Sequence, residues 1–114
     1  MDTHISAFHD YLLNQKSNSA NTIESYMRDV SFFLDYLSKQ GIVPLLVTDE
    51  TMRDYVDYLK GLNRSITTIS RNIASVRCFY KFLIFIGETN VNPAKSIKLE
   101  KAEKKLMKNI TLNI

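Results

Sequence analysis

Two stretches of the sequence place short hydroxyl and amide side chains next to arginines, where helices are predicted to begin. The first group comprises Ser19, Asn21, Thr22, Ser25, Tyr26 and Arg28. The second group comprises Arg64, Thr67, Thr68, Arg71, Asn72 and Ser75, followed on the same predicted helix by Arg77 and Lys81. Such side chains donate hydrogen bonds to phosphate oxygens, and arginine and asparagine also match the edges of bases. The two groups therefore predict a surface that binds nucleic acid.

The helix starts themselves strengthen this prediction, because the first backbone N–H groups of a helix are unpaired and carry a partial positive charge. A phosphate is a natural ligand for such an end. We expect the two helix starts to lie side by side and to enter or straddle a DNA groove. In this interpretation Arg28 and Arg64 bind phosphates, whereas Arg71 and Asn72 reach base edges.

Each of these side chains also has an ordinary structural explanation. Ser19 is well placed as a helix N-cap. Tyr26 falls on an apolar stripe, so its ring suits the core while its hydroxyl reaches the rim. Arg77 and Lys81 can lay their stems along the edge of the core. The side chains that could be ordinary surface residues are Thr22 and Ser25.

Other kinds of chemistry find little support in the sequence. His4 and His9 are five residues apart, so on one helix they point to different sides. Cys78 is predicted on the exposed side of its helix, without a histidine or aspartate partner. The three glycines form no phosphate-binding loop pattern. We therefore predict no metal site, no cofactor, no small-molecule substrate and no catalytic activity for this stretch of chain.

Charge is distributed unevenly along the sequence. Residues 1–60 carry five Lys/Arg and nine Asp/Glu, whereas residues 61–114 carry ten Lys/Arg and three Asp/Glu. The basic half suits a polyanionic partner. A solvated lysine-rich tail explains the same numbers equally well, since six of those ten residues are lysines after Asn92.

The composition favours a single all-α domain. The chain has 114 residues, of which 45% are hydrophobic, and it has only three glycines and two prolines. Few turn-forming residues argue against a sandwich or a barrel. No apolar run is long enough for a membrane span, no signal peptide pattern opens the sequence, and the single cysteine cannot form an internal disulfide. A cytosolic (cytoplasmic) location fits these features.

Apolar periodicity predicts four helices over residues 3–16, 20–40, 49–60 and 65–86. Thr48 is the predicted N-cap of the third helix, and a glycine is predicted to end each of the last three helices, at Gly41, Gly61 and Gly87. Residues 42–47 are read as a buried connector, and Pro93 is read as the start of a short fifth helix after a turn. The domain is thus predicted to span residues 1–97, with a basic linker or arm over residues 98–114. The predicted core side chains are Ile5, Phe8, Tyr11, Leu12, Ile23, Tyr26, Met27, Val30, Phe33, Leu34, Leu37, Met52, Tyr55, Val56, Leu59, Ile66, Ile69, Ile73, Val76, Tyr80 and Leu83.

Three blocks of the sequence, in this order, resemble one known family. The stretch S-x-N-T-I-x-x-Y-x-R-D-V-x-x-F-x-x-Y-L from Ser19 resembles the core-binding domain of tyrosine recombinases, the phage-integrase family, and the Xer type is the most similar. R-N-I-A-S-V-R-C-F-Y-K-F-L from Arg71 and the Asn92-Pro93-Ala94 turn resemble later parts of the same domain. The resemblance covers about residues 5–98.

This resemblance implies a SAM-like bundle of four to five helices that forms half of a clamp on duplex DNA. It implies that the second and fourth helices face the DNA and that other recombinase subunits are partners. In the family a separate C-terminal domain carries the catalytic residues, so none of the six tyrosines here is expected to be the nucleophile. The chain is expected to be a piece of a longer recombinase rather than a naturally shortened relative. The residues carried over from the motifs are Ser19, Asn21, Thr22, Tyr26, Arg71, Ser75 and Arg77.

Two other functions stay open at this point. A helical adaptor or oligomerisation module without DNA affinity would use the acidic first half of the chain to dock a basic partner. A free-standing helical repressor is a weaker alternative, because the sequence lacks the short glycine-containing turn usual between two helices of a helix-turn-helix. Binding to a membrane is not predicted.

Overall fold

The computed structural model describes residues 2–15 and 18–98, and side chains from His4 onward. It contains α1 (Asp2–Leu13), α2 (Ala20–Gln40), α3 (Asp49–Gly61) and α4 (Ile66–Phe85), with a 3₁₀ turn at Pro44–Leu46 between α2 and α3. No strand occurs in these ranges. The all-α prediction is therefore confirmed, and no helix of the described ranges is long and apolar enough to cross a membrane.

Hydroxyl side chains define the starts of the last three helices. Ser19 Oγ accepts from the backbone N–H of Thr22 at 3.1 Å, and Thr48 Oγ1 accepts from that of Thr51 at 3.2 Å. Ser65 Oγ accepts from Thr68 N–H in the same way. These hydrogen bonds confirm the predicted caps at Ser19 and Thr48. A hydroxyl at the N-cap accepts from a backbone N–H that has no partner within the helix.

Two of the three predicted glycine stops are confirmed. Gly41 and Gly87 adopt left-handed conformations after α2 and α4, with φ of 71° and 81°. After α3, however, Gly61 remains helical and Asn63 takes the left-handed position, with φ of 63°. Asparagine tolerates this region because its short side chain can bond locally, so the predicted glycine stop at Gly61 is two residues early.

The core is built mainly between α2 and α4, which form the most extensive helix pair. Phe33 of α2 lies at its centre, with its ring centroid 5.0 Å from that of Tyr55 and 6.3 Å from that of Tyr80. Most of the predicted core side chains are buried; Ile5, Tyr11, Tyr26, Met27 and Leu34 are partly buried against the core. Helix α4 packs against each of the other three helices, and ring contacts such as that of Phe33 with Tyr55 join α2 to α3.

Two connecting segments differ from the prediction. In residues 42–47 Val47 is buried, but Val43 is 53% exposed and Leu46 is 72% exposed, so the segment is not a buried connector. It is held instead by a hydrogen bond of 2.6 Å from Tyr80 Oη to the carbonyl of Pro44. Cys78 is half-buried against the core rather than exposed.

The segment after α4 forms a turn at residues 93–96, not the predicted fifth helix. Arg77 donates hydrogen bonds to the carbonyls of Ala94 and Ile97, and Asn92 Nδ2 donates to the carbonyl of Arg77 at 3.1 Å. We call this arrangement the Arg77 clasp. It fixes the buried Ala94 and Ile97 against α4. The predicted basic arm lies outside the described residues after Lys98.

Two buried tyrosines provide a matched test of this packing. Tyr80→Phe removes the only hydroxyl that the structure places on the Pro44 carbonyl, so we expect a loss of about 1 kcal/mol in the free energy of unfolding. Tyr55 Oη is buried without a hydrogen-bond partner among the described residues, so Tyr55→Phe is expected to be neutral or stabilising. Urea unfolding followed by circular dichroism measures both. Equal losses from the two variants would contradict the hydrogen-bond assignment.

Candidate nucleic-acid interface

A cavity of about 260 Å³ lies where the third turn of α2 meets the end of α3 and the start of α4. We call it the arginine cavity, because three of its lining side chains are arginines. It is lined by Arg28, Asp29, Phe32, Leu59, Arg64, Thr68, Arg71 and Asn72. Five of these eight belong to the predicted DNA-binding set, and they come from sequence positions up to 44 residues apart, from Arg28 to Asn72.

Asp29 organises one wall of the cavity. Its Oδ2 accepts from Arg71 Nε at 2.9 Å and its Oδ1 accepts from Arg71 Nη2 at 2.8 Å, which makes a two-pronged ion pair. Ser75 Oγ also donates to Asp29 Oδ2, at 2.8 Å. We call Asp29, Arg71 and Ser75 the Asp29 cluster; it joins α2 to α4 across 46 residues of sequence.

The buried negative charge of Asp29 is compensated by its partners in the Asp29 cluster. Asp29 is only 3% exposed, and a buried carboxylate without partners is very costly. The paired geometry of guanidinium and carboxylate supplies two strong hydrogen bonds, and the hydrogen bond to Asp29 raises the pKa of Arg71. The Arg71 side chain nevertheless stays 41% exposed, so the remainder of its guanidinium faces the cavity.

The other two arginines of the cavity carry no such partner. Arg28 and Arg64 are exposed, and neither forms an ion pair within the described ranges. Arg28 Nη2 makes one long contact, 3.4 Å, to Ser25 Oγ. Two guanidinium groups are thus open toward one cavity and a third is fixed at its wall.

Asn72 and Thr68 complete the cavity in different ways. Asn72 is 5% exposed, and its Nδ2 donates to the carbonyl of Thr68 at 3.0 Å. Thr68 is partly exposed, and its Oγ1 accepts from Ser65 Oγ at 3.1 Å. The amide of Asn72 is therefore engaged within α4, and its predicted contact with a base edge stays a prediction.

Three predicted contact residues lie in the first two turns of α2, before Arg28. Asn21 is exposed, and Thr22 and Ser25 are partly exposed, but none of them lines the arginine cavity. Ser19 is occupied as the cap, with its Oγ 2.9 Å from Thr22 Oγ1. The two helix starts are therefore not brought together as expected at the cavity: α4 contributes its start, whereas α2 contributes its third turn.

Tyr26 and Lys81 lie near Cys78. Burial raises the pKa of Tyr26, and the nearby Cys78 raises it further. Burial likewise raises the pKa of the Cys78 thiol, while Lys81 acts in the opposite direction. Lys81 is exposed, as is Thr67 on the first turn of α4. Lys81 and Thr67 are therefore open to an anionic partner.

Two predicted contact residues are engaged inside the protein. Ser75 has no exposed surface, so in this arrangement it cannot touch DNA and acts instead on Asp29. Arg77 uses its guanidinium in the Arg77 clasp. The predicted DNA contact of Ser75 is therefore wrong in this arrangement, whereas Arg77 is partly exposed and its contact with DNA stays a prediction.

Sequence reasoning missed Asp29, although a signal was present. Asp29 stands three residues after Tyr26 and four before Phe33, which is the spacing of the apolar stripe of α2. An acid at core spacing requires a buried partner, and α4 offered an arginine and a serine four residues apart.

Comparison with known proteins identifies similar sequences. The family described as phage integrase, N-terminal SAM-like domain, matches residues 5–85. Tyrosine recombinase XerD of Rickettsia bellii is 38% identical over 102 residues, which cover 90% of this chain and 33% of that protein. Tyrosine recombinase XerC of Pediococcus pentosaceus is 32% identical over 104 residues, covering 90% of this chain and 35% of that protein. The chain thus spans about a third of the length of these relatives. No solved structure matches it.

Proposed function

Because the chain belongs to the phage integrase N-terminal SAM-like family, we propose that it binds duplex DNA and holds one half-site of a recombination target. Its relatives are named as tyrosine recombinases and are about three times as long. In this proposal the strand cutting and rejoining belong to a catalytic domain of a longer protein, and this part supplies binding and register. Contacts with other recombinase subunits belong to the same proposal.

The observation that carries this proposal is the convergence of cationic side chains from α2 and α4. Arg28, Arg64 and Arg71 line one cavity although they come from two helices and the loop before α4. Guanidiniums match phosphate oxygens in planar pairs, so such a convergence suits the DNA backbone. Exposed donors continue along both helices, at Asn21 on α2 and at Thr67 and Lys81 on α4, which extends the surface beyond one phosphate.

Binding of a labelled duplex at two or more salt concentrations tests the proposal. Phosphate contacts release counterions, so we expect the logarithm of the binding constant to fall steeply and linearly with the logarithm of salt concentration. Sequence preference is measured by selecting bound duplexes from a random pool, and an enriched motif is expected. No binding at low salt, together with a defined oligomer in light scattering, would favour a protein-interaction module instead.

Arg28→Gln is expected to weaken duplex binding about three- to tenfold at moderate salt and to lower the salt slope by about one, because one phosphate contact is lost. Lys39→Gln is the matched control, since Lys39 is an exposed cation of α2 paired with Asp35 at 3.1 Å in the last turn. The control should bind as the parent chain does. Fluorescence anisotropy with one duplex at several salt concentrations measures both variants. A slope that is unchanged by Arg28→Gln, or changed equally by both variants, would contradict the predicted phosphate contact.

A further inference from the structure

We propose that the arginine cavity is a receptor for a single phosphate group: one phosphodiester of the DNA backbone, or free inorganic phosphate when DNA is absent. The DNA part of this inference rests on the proposed function. The affinity for free phosphate does not, because it depends only on the cavity itself.

The side chains that line the cavity carry an excess of positive charge. Three arginines and one carboxylate line it, which gives the lining a formal charge of plus two. The carboxylate is committed to Arg71, so Arg28 and Arg64 line the same cavity without a counterion among the described residues. Like charges that share a half-enclosed space repel each other, and a bound oxyanion removes that repulsion.

Two hydrogen-bond donors of the cavity are held in a fixed orientation before any ligand binds. Arg71 uses its Nε and one side of Nη2 for Asp29, which fixes the plane of the guanidinium and leaves Nη1 free. Thr68 Oγ1 accepts from Ser65, so its own hydroxyl proton remains available to donate. A fixed guanidinium and an oriented hydroxyl reduce the entropy lost when an oxyanion binds.

The size and the walls of the cavity fit a phosphate. A volume of about 260 Å³ holds a phosphate group with a few water molecules, given that one water occupies about 30 Å³ in the liquid. Phe32 and Leu59 provide apolar walls, and hydrogen bonds to charged groups strengthen where water is partly excluded. The cavity is half-open to solvent, which suits a phosphate that remains part of a DNA strand.

The first arm of the test uses inorganic phosphate and the whole 114-residue chain. Phosphate is titrated against chloride at constant ionic strength while nitrogen-15 NMR follows the arginine Nε–H signals. We expect saturable shifts for Arg28, Arg64 and Arg71, and none for Arg77, which lies outside the cavity and whose Nε–H donates to the Ala94 carbonyl. Arg64→Gln should weaken the apparent affinity about tenfold, and Arg64→Lys should restore part of it, because lysine keeps the charge without the planar fork. Non-saturating shifts spread over all arginines would overturn the phosphate receptor.

The second arm uses duplex DNA. Arg64→Gln should lower the salt slope by about one relative to the parent chain, whereas Lys39→Gln, which removes a cation already paired with Asp35, should leave it unchanged. Saturable phosphate binding with equal DNA behaviour of the two variants would restrict the receptor to free phosphate and overturn its DNA role. DNA binding without saturable phosphate binding would overturn this inference and leave the proposed function standing. Phosphate binding without any DNA binding would overturn the proposed function and the DNA part of this inference, and would leave the receptor for free phosphate standing.

Discussion

Asp29→Ala is expected to lower the free energy of unfolding by about 3 kcal/mol, because it removes three hydrogen bonds that a buried carboxylate accepts. The variant leaves Ser75 without its carboxylate and releases Arg71 from its fixed orientation. A domain of this size typically has a free energy of unfolding of roughly 5–15 kcal/mol. We therefore expect the variant to remain folded but to be much less stable. Urea unfolding measures the loss, and phosphate and DNA binding should weaken along with it.

Two comparisons make this result specific. Asp35→Ala removes an exposed acid from the same helix, whose ion pair with Lys39 is screened by solvent and should contribute little to stability. The double variant Asp29→Ala with Arg71→Ala should be less destabilised than the sum of the two single variants by about 1.5 kcal/mol, since the two side chains act as one unit. Strict additivity would show that Asp29 and Arg71 contribute independently.

Phe8→Ala is expected to cost about 3–5 kcal/mol, which is typical of removing a buried aromatic ring. Phe8 has no exposed surface, and its ring centroid lies 5.3 Å from that of Phe79 and 5.6 Å from that of Phe82. It is thus a main contact between α1 and α4, and its loss should loosen α1 before the rest of the domain. Hydrogen exchange of the α1 amides, measured beside urea unfolding, tests this order.

Phe85→Ala is the control for the Phe8 variant. Phe85 is 75% exposed and contacts Tyr11 at the surface, so its replacement should change stability by no more than about 0.5 kcal/mol. Similar losses from the two variants would mean that α1 depends on the surface contact as much as on the core.

Local sequence signals were sufficient to predict the helices. The bounds of α2 follow from a serine cap at one end and a left-handed Gly41 at the other, both of which act within four residues of the boundary. The end of α3 was misplaced because Asn63 and Gly61 both suit a helix end, and only the packing of the following loop decides between them. The connector at residues 42–47 was wrongly called buried because an apolar run does not require burial.

The candidate site was predictable only in part, because its key contacts are long-range. The sequence marked Arg28, Arg64 and Arg71 as cations near helix starts, but nothing local shows that they line one cavity. The pairing of Asp29 with Arg71 spans 42 residues and depends on how α2 packs on α4. A side chain that stabilises the fold and one that binds a ligand can be of the same residue type. The sequence alone therefore did not show that Ser75 and Arg77 make hydrogen bonds inside the protein.

The Arg77 clasp has a mechanical consequence. It attaches the chain at Ala94 and Ile97 to the middle of α4, 17 and 20 residues back along the sequence. A force on the chain at Ala94 or Ile97 therefore acts directly on α4 at Arg77, which is six residues from Arg71. It does not act only through the loop after Gly87. Helix α4 thus connects the turn at residues 93–96, through Arg77, with the Asp29 cluster, through Arg71.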